Sequence, residues 1–155
     1  MTFTVYGVAQ AKGSTRAFVP RGMKHPIVTD TNRNAKSWQQ LIAGEASRRL
    51  NEHPSPTLVA GPVVLGARFY LPRPKAYERR RGVLVHTKKP DLDKLLRAVL
   101  DALTGVVFGD DSQVVEIHAA KRYTDGEEIP HAVITVNGIV GEAVAAPPLF
   151  REVTP

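Results

Sequence analysis

Four aspartates in two short segments are the residues of this sequence best suited to hold a divalent metal ion. Asp91 and Asp93 lie in a Pro-Asp-Leu-Asp segment, and Asp110 and Asp111 are adjacent further along the chain. Carboxylate oxygens are the ligands that Mg²⁺ prefers, and a metal held in this way activates water for hydrolysis. Aspartates also cap helices and favour turns. The pattern alone therefore leaves both a metal site and a purely structural role open.

A helix predicted over residues 91–104 positions the first aspartate pair. Pro90 prevents a helix from entering from upstream, and Gly105 supplies a residue that tolerates positive φ at the end. The first pair of aspartates would lie in the first turn and the second pair in a turn beyond the helix. Because such a helix is roughly 20 Å long, the sequence does not establish that the two pairs meet. The apolar residues that recur at helical spacing are Leu92, Leu95, Leu96, Val99, Leu100 and Leu103.

A basic segment directly precedes the first aspartate pair. Between Pro72 and Pro90 its single acid, Glu78, leaves a net charge of +6, which is the excess of the whole chain. Such a patch favours a polyanionic partner, above all nucleic acid, and the alternative is a solvated basic loop. A divalent ion would relieve the repulsion between the aspartates and a bound polyanion, as in metal-assisted phosphodiester hydrolysis. The candidate phosphate contacts are Arg73, Lys75, Arg79, Arg80, Arg81, Lys88 and Lys89, with Lys12 and Arg16 from an earlier loop.

The remaining patterns predict one α+β domain with a mixed β-sheet and two main helices, in the order β-α-β-α-β-β. We expect residues 1–140 to form this domain and residues 141–155 to be a flexible tail. Residues 20–31 have no clear period and predict a loop or an irregular hairpin. The last predicted strand is expected to return antiparallel beside the one before it. The predicted strands are 2–9, 63–71, 113–123 and 131–136, and the first helix is 35–50.

Several other kinds of protein are disfavoured by composition. The chain of 155 residues contains no cysteine, which excludes disulfides and thiolate metal sites. The histidines are scattered, and neither a nucleophilic-serine turn nor a glycine-rich phosphate loop is present. No apolar run approaches the length of a membrane span and no signal peptide is evident. We therefore expect a soluble cytoplasmic protein with no membrane partner.

The segments Lys89-Pro90-Asp91-Leu92-Asp93 and Asp110-Asp111-Ser112-Gln113-Val114 resemble the RusA family of Holliday-junction resolvases, in its phage-type branch. The resemblance implies a small homodimer that nicks branched DNA, a four-way junction, symmetrically and depends on Mg²⁺, with Mn²⁺ as a substitute. It also implies that the acids converge, with Asp91, Asp93 and Asp111 as catalytic metal ligands and Asp110 able to share that role. Arg97 stands where the family often has a lysine and is a further catalytic candidate, but arginine is a poor proton donor or acceptor.

Three other functions fit the same residues. The first is a nuclease acting on other branched or single-stranded DNA with the same chemistry. The second is a non-catalytic nucleic-acid-binding module in which the aspartates only cap and turn. The third is a protein-interaction module, suggested by the proline-containing tail. These alternatives differ in whether metal ions and four-way junctions matter.

Overall fold

Strands and helices alternate along the chain in the computed structural model. It describes residues 1–13, 15–19, 21–22, 25, 27–30, 32–52, 58–77 and 85–139, with only the backbone for 15–18 and 27–30. Within these residues the elements confirm the predicted α+β class. They are β1 (Thr2–Tyr6), β2 (Thr15–Phe18), β3 (Ile27–Asp30), α1 (Ala35–Asn51), β4 (Val63–Leu71), α2 (Leu92–Leu103), β5 (Val114–Tyr123) and β6 (His131–Gly138).

The main sheet has the strand order β1-β6-β4-β5 and is mixed. β4 runs antiparallel to β6 and parallel to β5, while β1 pairs antiparallel with β6. Alternate residues of β4 are buried, as expected when one face of a strand is covered. β5 therefore forms one edge of the sheet, and this position matters for the site.

Both helices cover the same face of the sheet. α1 contacts β1 and α2, and α2 also contacts β5. Trp38 and Ile42 of α1 are buried, as are Leu95 and Val99 of α2, which confirms the predicted apolar face of α2. Gly105 follows α2 with φ +76°, the left-handed conformation expected at a helix end.

Two expectations about the strands were wrong. β6 does not pair with β5, because β4 lies between them and residues 124–130 cross over it. The crossover through α2 places β5 parallel to β4 on one side, so β6 pairs on the other, where Ala132, Ile134 and Val136 join the buried face. In addition, β2 and β3 form a separate antiparallel hairpin, one of the two alternatives predicted for residues 20–31, but it begins earlier than expected, at Thr15.

The proposed tail, residues 141–155, lies outside the described residues, and its flexibility stays a prediction. Among the helices that the structure describes, none is long and apolar enough to cross a membrane.

Candidate functional site

Asp91 and Asp93 lie at the amino end of α2 with their carboxylates exposed. Asp91 is the N-cap residue, with φ −72° and ψ 140°, but its side chain makes no capping hydrogen bond. Its Oδ2 lies 3.6 Å from Nζ of Lys94, an exposed pair that adds little stability. Asp91 therefore does not cap α2 with its side chain. Both carboxylates are accessible to a cation from solvent.

Lys121 of β5 fixes the turn that carries Asp91. Its Nζ donates hydrogen bonds of 2.7 Å to the carbonyl oxygens of both Lys88 and Pro90. The ammonium group thus holds the backbone on each side of residue 89 and sets where α2 begins. Lys121 was not among the predicted site residues, although its position in the strand could have indicated a role. A lysine at a strand position that faces the helices needs a polar partner.

Three lysines contribute to the lining of the groove beside Asp91. It has a volume of about 420 Å³ and includes Lys12, Lys89 and Lys94 together with Asn32. Lys12 also pairs with Asp101 on α2, which orients its side chain along the helix. Carboxylates and ammonium groups side by side suit a phosphate whose charge is shared with a metal ion.

Asp110 and Asp111 lie in the turn that leads into β5. Asp110 Oδ1 accepts a hydrogen bond of 2.9 Å from the Ser112 amide. The Ser112 side chain, followed by this amide, lowers the pKa of the Asp110 carboxyl below its usual range. Gln113 completes a capping box, with Oε1 accepting from the amides of Gly109 and Asp110. One oxygen of Asp110 thus has a structural role, whereas Asp111 is exposed and contributes no side chain to the cap.

The two aspartate pairs lie at opposite ends of α2 and of β5. Pro90 is bonded to Lys121 near the end of β5, whereas Asp111 precedes Val114 at its start. The stretch between Val114 and Lys121 spans about 23 Å at ~3.3 Å per residue. α2, at ~1.5 Å per residue, separates the same two ends by about 18 Å. The acids therefore do not converge within the described residues of one chain, and their convergence in the enzyme stays a prediction. Among the described residues no three Asp, Glu or His side chains could share a metal ion.

Arg97 lies one turn beyond Asp93 and is exposed. In the described part of the chain it forms no ion pair with Asp93 or Asp101, since Asp101 instead contacts Lys12 and Gln39. The helix-surface ion pair that its spacing allows is thus absent there. A contact between the Arg97 guanidinium and a phosphate stays a prediction.

Apart from Lys12, which lines the groove, the predicted basic residues divide into three groups. Lys75, Lys88 and Lys89 are exposed and precede Asp91 in the sequence. The prediction that Arg73 contacts phosphate is corrected. Its guanidinium donates hydrogen bonds to the Thr124 carbonyl and to Asp125, and its side chain is only 8% exposed. The remaining candidates lie outside the described side chains, and their role stays a prediction: Arg16, Arg79, Arg80 and Arg81.

Comparison with known proteins identifies the family. Residues 10–137 match the family described as endodeoxyribonuclease RusA. The chain belongs to the RusA family. A relative from Bacillus subtilis (strain 168), described as the uncharacterized protein YqaN, is 31% identical over 131 residues, which is 79% of this chain and 87% of that protein.

This RusA-family chain is accordingly an endodeoxyribonuclease. The matched region includes α2, the turn before it and β5, and so contains both aspartate pairs. A nuclease of this kind needs groups that hold the DNA backbone and groups that activate water. The amino end of α2 offers candidates for both.

Proposed function

We propose that this protein is a Mg²⁺-dependent endonuclease that resolves four-way DNA junctions by paired symmetric nicks, with Mn²⁺ as a possible substitute. The observation that carries the proposal is the amino end of α2 in a chain of the RusA family. There Asp91 and Asp93 are exposed, make no capping bond and adjoin a lysine-lined groove.

The donor set at this end fits Mg²⁺. Asp91 and Asp93 offer hard oxygen ligands one turn or less apart, and Asp111 would complete the set from elsewhere in the enzyme, with the second oxygen of Asp110 available beside it. A bound Mg²⁺ would supply a Lewis acid and an acidified water molecule. Lys121 would keep the Asp91 backbone in place during the reaction by its bonds to the preceding turn.

The cationic side chains around the groove would hold the DNA backbone. Lys12, Lys89 and Lys94 can contact phosphates on either side of the scissile bond. Arg97 can stabilise negative charge on the phosphate, but its guanidinium is not a proton donor at neutral pH. Such contacts recognise the shape and charge of a junction more than its sequence. A homodimer would present two sites to the two equivalent strands of a junction.

Asp93→Asn tests the role of the first acid pair. The neutral amide preserves the size of the side chain and removes a metal ligand, so we expect it to bind a synthetic four-way junction without cutting it in Mg²⁺. Glu127→Gln is the matched control, because it makes the same carboxylate-to-amide change at an exposed residue after β5 and should cut normally. Cleavage by Asp93→Asn at the wild-type rate would contradict the assignment.

A competition assay tests the substrate. Wild-type protein is offered a four-way junction, a flap, a linear duplex and a single strand in one reaction with Mg²⁺. We expect the junction to be cut first, at two symmetric positions. If the single strand or the flap were cut as fast as the junction, the junction would not be the preferred substrate. Binding without products under any divalent ion would indicate a non-catalytic module.

A further inference from the structure

The main sheet has a second face, which neither helix covers. Because side chains alternate along a strand, the residues between the buried ones form this opposite face. It consists of the even-numbered residues of 2–6, 64–70 and 116–122 and the odd-numbered residues of 131–137, and we call it the open face. None of these residues is buried against the described part of the chain. None of them lines the groove beside Asp91 either, so the open face is a separate surface.

A row of aromatic rings crosses one end of the open face. The strand register places Tyr6, His131 and Tyr70 side by side on β1, β6 and β4. The rings of Tyr70 and His131 stack, with centroids 4.3 Å apart and an interplanar angle of 12°, and the Tyr6 ring lies 6.0 Å from that of His131. Tyr6 stands at the end of the row on an edge strand and is 67% exposed. A further flat ring can therefore extend the row by stacking on Tyr6, as nucleobases do on tyrosine.

Two arginines lie beside this aromatic row. Arg122 of β5 is the register partner of Tyr70, and Arg68 precedes Tyr70 by two residues on β4. Both are exposed, and neither forms an ion pair within the described part of the chain. They line a cavity of about 540 Å³ on the open face. The acid of this cavity, Glu116, contacts His118 at 2.7 Å instead of an arginine. The two guanidinium groups are thus available to an anion, and arginine suits phosphate.

We propose that the open face binds single-stranded DNA, with a base stacked on Tyr6 and phosphates held by Arg68 and Arg122. Four strands at a spacing of ~4.8 Å make this row about 14 Å wide. Other four-stranded sheets stack two or three bases on their aromatic side chains. A single strand exposes the faces of its bases, whereas a duplex hides them in its own stack, and this favours the single strand. The inference does not rest on Mg²⁺-dependent cutting.

Binding of fluorescein-labelled oligo(dT) in EDTA tests the role of the aromatic row. Tyr6→Ala should raise the Kd about tenfold, because a stacked base loses its ring. Tyr6→Phe is the matched control, since it keeps the ring and should bind as the wild type does. A duplex of the same length should bind more weakly than the single strand to the wild type and should not respond to Tyr6→Ala. Equal Kd values for the wild type and Tyr6→Ala would overturn the proposal.

The salt dependence of the same binding tests the two arginines. Each phosphate contact of a single strand contributes ~0.7 to the slope of log Kd against log salt, so Arg68→Gln combined with Arg122→Gln should reduce the slope by about 1.4. Lys36→Gln is the control, because Lys36 is exposed on α1, behind the helix-covered face, and should leave the slope unchanged. An unchanged slope in the double variant would contradict the phosphate contacts.

Photocrosslinking locates the bound strand directly. A single strand that carries 5-iododeoxyuridine should crosslink to Tyr6, and mass spectrometry of the digested protein identifies the modified peptide. Crosslinks confined to the residues of the Asp91 groove would place the strand there and overturn the proposal. The absence of oligo(dT) binding, as expected if a protein partner or a second copy covers the open face, would overturn it as well. Because no cutting is measured, an inactive wild-type protein would contradict the proposed function alone.

Discussion

Gln113 is the residue whose removal the structure predicts to be most informative about the Asp110–Asp111 turn. Its side-chain amide makes four hydrogen bonds. Oε1 accepts from the amides of Gly109 at 2.8 Å and Asp110 at 3.0 Å, while Nε2 donates to the carbonyls of Val59 at 3.0 Å and Gly61 at 2.8 Å. One side chain thus joins the aspartate turn to the segment that leads into β4.

Gln113→Ala should lower the free energy of unfolding by about 2 kcal/mol. A hydrogen bond contributes ~0.5–1.5 kcal/mol net, and we take the low end because most of these groups can bind water once the glutamine is gone. For a chain of 155 residues this corresponds to a fall in melting temperature of roughly 4–8 °C. Urea unfolding followed by circular dichroism measures the change, and an unchanged m-value would show that the unfolded state is unaffected.

Two further variants sharpen this measurement. Gln113→Glu keeps both acceptor bonds but sets a carboxylate oxygen against the carbonyl oxygens of Val59 and Gly61, so its loss of unfolding free energy should be at least as large as that of Gln113→Ala. Gln39→Ala is the control, because Gln39 makes one exposed bond to Asp101 and should cost less than about 0.5 kcal/mol. A free energy of unfolding for Gln113→Ala within 0.5 kcal/mol of the wild type would refute the assigned role of the amide.

Three other predictions follow from the site and its surroundings. Lys121→Met should raise the Mg²⁺ concentration for half-maximal cutting about tenfold, because Lys121 holds backbone carbonyls next to the metal ligand Asp91. Lys121→Arg should give a value between those of the wild type and Lys121→Met, and equal values in the two variants would contradict this role. Lys89→Ala should reduce the slope of log Kd against log salt for junction binding by about 0.9, whereas Lys36→Ala on α1 should leave the slope unchanged. Burial, aided by the Lys121 charge, lowers the pKa of His86 below its ordinary 6.5. The unfolded chain therefore binds a proton more readily, and stability should fall as the pH drops below 6.5, less steeply in His86→Phe.

The sequence predicted best the elements whose patterns are local. The alternation of β4 and the apolar spacing of α2 gave boundaries within one residue, because each depends on which side of a single element is buried. The pairing of β6 with β4 instead of β5 could not be obtained in this way. It depends on which side of β4 remains free after the α2 crossover, and this is a property of the assembled sheet.

The candidate site likewise combines features that local sequence patterns predicted with features that only the structure reveals. Asp91 and Asp93 were identified from their spacing, but only the structure shows that Asp91 makes no cap while Asp110 does. Lys121 escaped detection because its partners are backbone carbonyls that lie more than thirty residues earlier. Arg73 was predicted as a phosphate contact because charge runs do not reveal partners, and its guanidinium is in fact used within the fold.

Cleavage of a four-way junction as a function of Mg²⁺ concentration tests the central claim most directly. The junction carries a label on each of its four strands, and the products are mapped on a sequencing gel in excess EDTA and across a Mg²⁺ titration. We expect no products in EDTA and, with Mg²⁺, paired nicks at symmetric positions on two opposing strands. Products that form equally well in EDTA, or the absence of products at every Mg²⁺ and Mn²⁺ concentration, would contradict it.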